Sequence, residues 1–365
     1  MSTQTRQTLA EGAGSKDVLG ISMAQARSLV ADLAVRRQWI YWVDLTVCVA
    51  VGYTAFLLCP ARQPLSPAAV GCVVVAALAL YRAVLFVHEI VHAGAELRSF
   101  ALYWHAVCGI PLMVPQFTYE FHQEHHASRT YGTAADGEYV AYATEPRWRV
   151  VALPFTALLG PVFFVVRFLV LAPLSWLVPP LRRYVLTRAS ALMIDADFCR
   201  TLPPGGAPRS WLIQEFACFA YLVGVAVLFG LGVFAPYRLL EAYAVVSLIL
   251  FVNWIRVLVA HRYESENQRM TFPEQVLDSI DHPSLPVLGE LWAPLGLRLH
   301  AVHHLFPKLP YHQLAEARRR LAEAVPRDRG YWVTEDPSVV SSFRRLLSRR
   351  AESSKPIRQL TDEAV

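Results

Sequence analysis

Histidine is gathered into three short patterns along this chain: His88-x-x-x-His92, His122-x-x-His125-His126 and His300-x-x-His303-His304. They take up eight of its twelve histidines. On a helix, positions i, i+3 and i+4 share a face, so each pattern aims its imidazoles one way. Neutral imidazole binds iron, zinc and copper well. Eight such donors exceed what one tetrahedral zinc can use and suit two metal ions with several nitrogen ligands each. A single HxxxH is commonly packing or surface. Two HxxHH patterns beside it, all where apolar runs end, point to metal.

His261 ends the last apolar run and is a candidate ninth ligand. His105, His282 and His312 have no partner at ligand spacing and read as ordinary structural residues. Five acidic residues near the clusters, Glu89, Glu124, Asp136, Glu138 and Glu264, are candidates to accept a hydrogen bond from a ligand imidazole. The favoured ones are Glu89, Asp136 and Glu138. A rival reading exists for the first cluster. His88-Glu89-x-x-His92 matches HExxH, the zinc-protease pattern in which the Glu is the general base, with Asp278 as a conceivable third ligand. It leaves six clustered histidines without a role.

The elements that must position these clusters are membrane helices. Hydrophobic residues make up 55% of the 365 and charged residues 17%, where a soluble domain carries about a quarter charged. Residues 39–59, 68–87, 211–234 and 239–260 form apolar runs long enough to cross a bilayer. Residues 102–117 and 150–178 are apolar but proline-interrupted, and are expected as re-entrant or in-plane segments. If the clusters share one side, an even number of crossings separates them, which gives two hairpins. The loop arginines Arg62 and Arg238 fall outside, and nearly all other basic residues fall on the cytoplasmic side. The expected fold is all-α and integral to the membrane, with about four transmembrane helices in two hairpins and a cytosolic helical cap carrying the site. A polar tail over 1–22, one domain over 23–347 and a charged tail over 348–365 complete the organisation. The net charge of +5 comes without any basic stripe interleaved with aromatics, so lipid headgroups rather than nucleic acid explain it. The six cysteines form no CxxC pair and read as packing residues. No cleavable signal peptide is evident.

The clusters, their order and the two hairpins resemble the membrane fatty acid desaturase family over residues 68–321. Residues 132–138, Leu291-Trp292-Ala293-Pro294-Leu295-Gly296-Leu297-Arg298 and His304-Leu305-Phe306-Pro307 match its surroundings too. The resemblance implies two iron ions on the cytosolic face, held by His88, His92, His122, His125, His126, His300, His303 and His304, with His261 where some members add a ligand. It implies O2 as co-substrate and a lipid or acyl chain as substrate. No His-Pro-Gly-Gly segment occurs, so no cytochrome b5-like domain is fused and electrons must come from a separate ferredoxin- or rubredoxin-type carrier with its reductase. The expected reaction is desaturation of an alkyl chain. A lipid hydroxylase or carotenoid-type ketolase of the same superfamily is the alternative. The expected location is a bacterial inner membrane, with the clusters and both termini cytoplasmic.

Overall fold

In the computed structural model, which describes residues 19–60, 63–142, 145–327 and 330–348, every regular element is a helix. Among these residues β pairing amounts to isolated bridges, His261 with Ser279 and Asp281 with Leu299 and Glu335. Most of the expected N-terminal tail, Arg62 and nearly all of the expected C-terminal tail lie outside the described residues. Among the described residues, five helical runs are long and apolar enough to cross a membrane: Gln38–Leu58, Pro67–Gly109, Gly160–Leu177, Arg209–Gly230 and Tyr237–Ala260. Four of them cover the expected crossings. The fifth, Gly160–Leu177, lies in the proline-rich stretch expected in plane.

The chain divides into two compact units. Among the described residues, an apolar unit comprises those within 37–123 and 151–255; a polar unit comprises those within 19–36, 124–150 and 256–348.

In the apolar unit, Gln38–Leu58 packs along Pro67–Ala93. Ser66 caps the second helix and Pro67 stands in its first turn, where a missing N–H costs nothing. Two polar ties set the register of this pair. Arg82 grips Asp44 through Nε at 2.8 Å and Nη2 at 2.6 Å, and Tyr41 donates to Glu89 Oε2 at 2.6 Å. Charges in an apolar surround persist only when paired in this way. The helix runs straight on from the apolar run into the first cluster, as the sequence leads one to expect. It continues through His88 and His92 and closes at Gly94. Pro111 and Pro115 then prevent a further long helix, and the expected re-entrant stretch is a short helix Arg98–Trp104 with a π turn His105–Gly109.

A second buried charge centre lies deeper in this unit. Arg167 sits in the π turn Val166–Leu171 between helices Gly160–Val165 and Ala172–Leu177. It donates to Ala189 O at 2.6 Å, Ser190 Oγ at 2.7 Å and Glu215 Oε1 at 2.5 Å. Arg182 takes the other oxygen of Glu215 at 2.5 Å. Glu215 is buried in the Arg209–Gly230 helix, so its carboxylate ties three segments to one point.

The polar unit is built from shorter helices, two of which carry full capping boxes. Ser22 and Gln25 form a capping box for Met23–Val30, and Thr271 with Glu274 forms one for Phe272–Asp278. The His300–Leu305 helix lacks a side-chain cap of its own. Asp281 supplies one from a distance, accepting from Ala301 N at 2.9 Å, Val302 N at 3.3 Å and Tyr331 Oη at 3.1 Å. Burial pushes its pKa up to about 6, against the lowering by Arg318 and these donors. At Gly132 (φ +77°) a Cβ would lie 2.9 Å from Ser265 Cβ, so the turn before Asp136 requires glycine.

Replacing Glu215 by Ala would leave Arg167 buried without its anion, a loss of about 3–5 kcal/mol. Thermal or denaturant unfolding in micelles should show it, whereas Glu323→Ala, at an exposed position, should leave the transition in place.

Candidate metal centre

Four histidines of the polar unit converge. His125, His261, His300 and His304 are all buried, and each offers a ring nitrogen within 4.8 Å of the others. The Nε2 atoms of His125 and His261 are 3.2 Å apart, those of His261 and His300 3.0 Å, and those of His300 and His304 3.2 Å. Three segments deliver them. His125 ends the single-turn helix His122–His125, His261 follows Tyr237–Ala260, and the other two share one face of His300–Leu305. The Phe272–Asp278 helix underlies the group. Its Gln275 amide donates to His125 O at 3.0 Å and lies 3.3 Å from His304 Nδ1.

The far sides of two rings decide which nitrogen carries the proton. His125 Nδ1 lies 2.8 Å from Asp136 Oδ2, a carboxylate that can only accept. Tyr131 donates its single proton to Asp278 Oδ2 at 2.7 Å, so its oxygen accepts from His261 Nδ1 at 2.9 Å. Both Nε2 atoms are thereby left with lone pairs facing the centre of the group. Burial, with the neighbouring His125, drives the pKa of His261 well below its usual value. Burial with His126 does the same for His304, so both rings are neutral. Burial also opposes protonation of His125, but the charge and hydrogen bond of Asp136 prevail and raise its pKa. The lone pairs of His125 and His261, facing one another at 3.2 Å, repel unless a cation lies between them. That spacing is also the one expected of nitrogens each about 2.1 Å from a common ion. The donor set fits a metal.

The remaining clustered histidines fall in both units. In the polar unit, His303 Nε2 lies 3.0 Å from His126 Nε2. In the apolar unit, the rings of His88, His92 and His122 are mutual neighbours, with centroids 4.6, 4.7 and 5.0 Å apart. Tyr119 stacks on His122 with centroids 4.8 Å apart. Glu89 accepts from Tyr41 and lies 3.7 Å from His88 Nδ1, so it is held as a neighbour of the ring. Of the other acidic candidates, Asp136 is bonded to a clustered histidine, and Glu138 supports it by donating its backbone N–H to Asp136 Oδ1 at 3.0 Å. Glu264 gives its N–H to Asp278 Oδ1 at 3.0 Å. Glu124 pairs instead with the exposed Arg129. His105 and His282 bond backbone carbonyls, as ordinary structural histidines do.

The family model for fatty acid desaturase matches residues 64–335, three quarters of the chain. The chain belongs to the fatty acid desaturase family. Members of this family and of its hydroxylase branch are oxidoreductases, and so is this chain. It is 39% identical over 335 residues to a ceramide hydroxylase of Caulobacter vibrioides, covering 90% of this chain and 95% of that one. It is 28% identical over 115 residues to a chloroplastic omega-3 fatty acid desaturase of Glycine max, covering 30% of this chain and 25% of that one. No solved structure matches it at comparable significance. Membership in an oxidoreductase family removes the zinc-protease reading of His88–His92.

Residues around the four histidines that residue spacing did not single out for these roles are Tyr131, Gln275 and Asp278. The HExxH pattern offers Asp278 only as a zinc ligand; in the fold it acts on His261 through the Tyr131 hydroxyl. Gln275 and Asp278 stand three apart on one helix, a periodicity with no chemical signature of its own.

Asp136→Ala should weaken metal binding about 10–100-fold by removing the acceptor for His125 Nδ1–H. Metal content after graded chelator treatment measures this, and Glu124→Gln should behave as the unaltered protein.

Proposed function

We propose that this chain is a di-iron lipid hydroxylase acting on a ceramide-type sphingolipid in a bacterial inner membrane. The observation that carries the reading is the likeness to the Caulobacter vibrioides ceramide hydroxylase, which runs nearly the full length of both proteins. The desaturase likeness covers less than a third of this chain. The preference for desaturation drawn from the sequence therefore gives way to the hydroxylase alternative. A ketolase has no such support.

In this reading His125, His261, His300 and His304 hold one iron. His88, His92, His122, His126 and His303 are the further ligands that the family resemblance implies. The pair of irons would supply, from O2 and external electrons, the oxidising power to break an unactivated C–H bond. The balanced reaction takes a substrate C–H, O2, two electrons and two protons to an alcohol and water. The chain's own residues prepare this. Asp136 keeps the proton of His125 on Nδ1, and Tyr131 keeps that of His261 on Nδ1, so both Nε2 atoms remain donors. Burial of all four rings excludes water that would quench a strong oxidant. Electrons are assigned to a separate ferredoxin- or rubredoxin-type carrier.

We also keep Gly160–Leu177 in plane, with four crossings and the histidines cytoplasmic. Arg167 is at the middle of that segment, yet it pairs with Glu215, only about 9 Å along the Arg209–Gly230 helix from its start. A segment crossing upright would carry its middle residue nearer the bilayer centre than that.

Two measurements test the proposal. Mass spectrometry of sphingolipids from expressing cells should show ceramide gaining one oxygen atom, lost in His303→Ala. Loss of two hydrogens instead, or modification of glycerolipid chains alone, would refute it. Purified protein should carry iron in the ratio of about two ions per chain, as the donor count requires; zinc alone would contradict the iron assignment.

A further inference from the structure

Outside the five apolar helices, one stretch of the polar unit exposes large apolar side chains in succession. Leu285 is 68% exposed, Val287 81%, Leu288 56% and Leu291 49%. The last three lie on the helix Pro286–Trp292, at positions that share a face. No charged residue occurs from Pro283 to Gly289. The opposite side of the helix is committed to the protein. A Cβ on Gly289 would lie 2.6 Å from Arg298 Cδ, so the helix rests directly on that side chain. Leu285 enters it with φ +50°, a left-handed conformation that a leucine rarely adopts. An apolar face of this kind on a polar unit marks a surface meant to be covered.

The cover is identified by where the stretch begins. Ile280 N donates to Ala260 O at 2.8 Å, and His282 Nε2 lies 3.1 Å from Val259 O. Both carbonyls belong to the last turn of Tyr237–Ala260, one of the helices apolar and long enough to cross the bilayer. The exposed stretch therefore starts within three residues of the point where that helix leaves the membrane. It is continuous with the membrane boundary.

We infer that Leu285 and the helix Pro286–Trp292 form a membrane-docking element. Its Leu285, Val287, Leu288 and Leu291 side chains enter the lipid boundary, and Trp292 sits at headgroup depth against His282. The rings of Trp292 and His282 are 5.3 Å apart, edge to face. Apolar faces of interfacial helices reach about 5–10 Å into the boundary between headgroups and acyl chains. The element is short-coupled to the third histidine cluster. His282 N donates to Arg298 O at 2.7 Å, and Arg298 precedes His300 by two residues. Docking therefore sets the height of that cluster above the lipid. The inference rests on membrane residence and not on which lipid is oxidised.

The test uses the full chain in lipid nanodiscs, with Cys72 and Cys199 replaced by Ser and a single cysteine introduced as Val287→Cys, Leu291→Cys or Glu323→Cys. Each carries an environment-sensitive NBD label. Phospholipid bearing a doxyl quencher just below the headgroup should remove most of the emission at 287 and 291 and leave that at 323 unchanged. Quenching at 287 no greater than at 323 would overturn the inference. So would a label at 287 that is shielded from aqueous iodide yet untouched by the doxyl lipid, since that would place a protein surface over the helix. Neither result bears on the reaction catalysed.

Discussion

The centre depends on keeping neutral imidazole lone pairs pointed inward in a site from which water is excluded. A buried histidine free to choose its tautomer would as readily present an N–H. Asp136 removes the choice for His125, and the Asp278–Tyr131 pair removes it for His261. The carboxylates thus act one hydrogen bond away from the donors. Asp278 is itself held by the Glu264 N–H, and Asp136 by the Glu138 N–H. Gly132 and Ser265 lock the turn from which this loop departs.

A parallel constraint governs the apolar unit. Isolated charges are costly among apolar helices, so each one present must be matched. Asp44 with Arg82, and Glu215 with Arg167 and Arg182, satisfy this, and in doing so they specify which helices lie together. Packing of leucine and valine alone would allow helices to slide or rotate. A bidentate ion pair does not. The unit's polar residues are few, and they carry much of its specificity.

The same donor set serves different reactions across this family. Removal of one hydrogen from a substrate carbon is common to hydroxylation and desaturation. The product is then decided by whether oxygen returns to that carbon or a second hydrogen is taken. The histidines do not encode that difference. The likeness to a ceramide hydroxylase over nearly the whole chain is what bears on it, because substrate placement is spread over the many residues around the lipid chain.

The sequence by itself determined the helical membrane class, the extents of the main apolar runs to within a few residues, and the clustered histidines as candidate donors. Those features are local. Hydrophobic length and the i, i+3, i+4 spacing are visible without knowing what packs on what. The tertiary structure decided the rest. It split the stretch around residues 150–178 at a π turn that contains Arg167. It brought His261 into a group with His125, His300 and His304, and it recruited Tyr131, Gln275 and Asp278 around them. Those contacts join residues up to about 180 positions apart, such as His125 with His304. No short-range pattern records such a pairing, because only the folded chain brings the partners within hydrogen-bond reach.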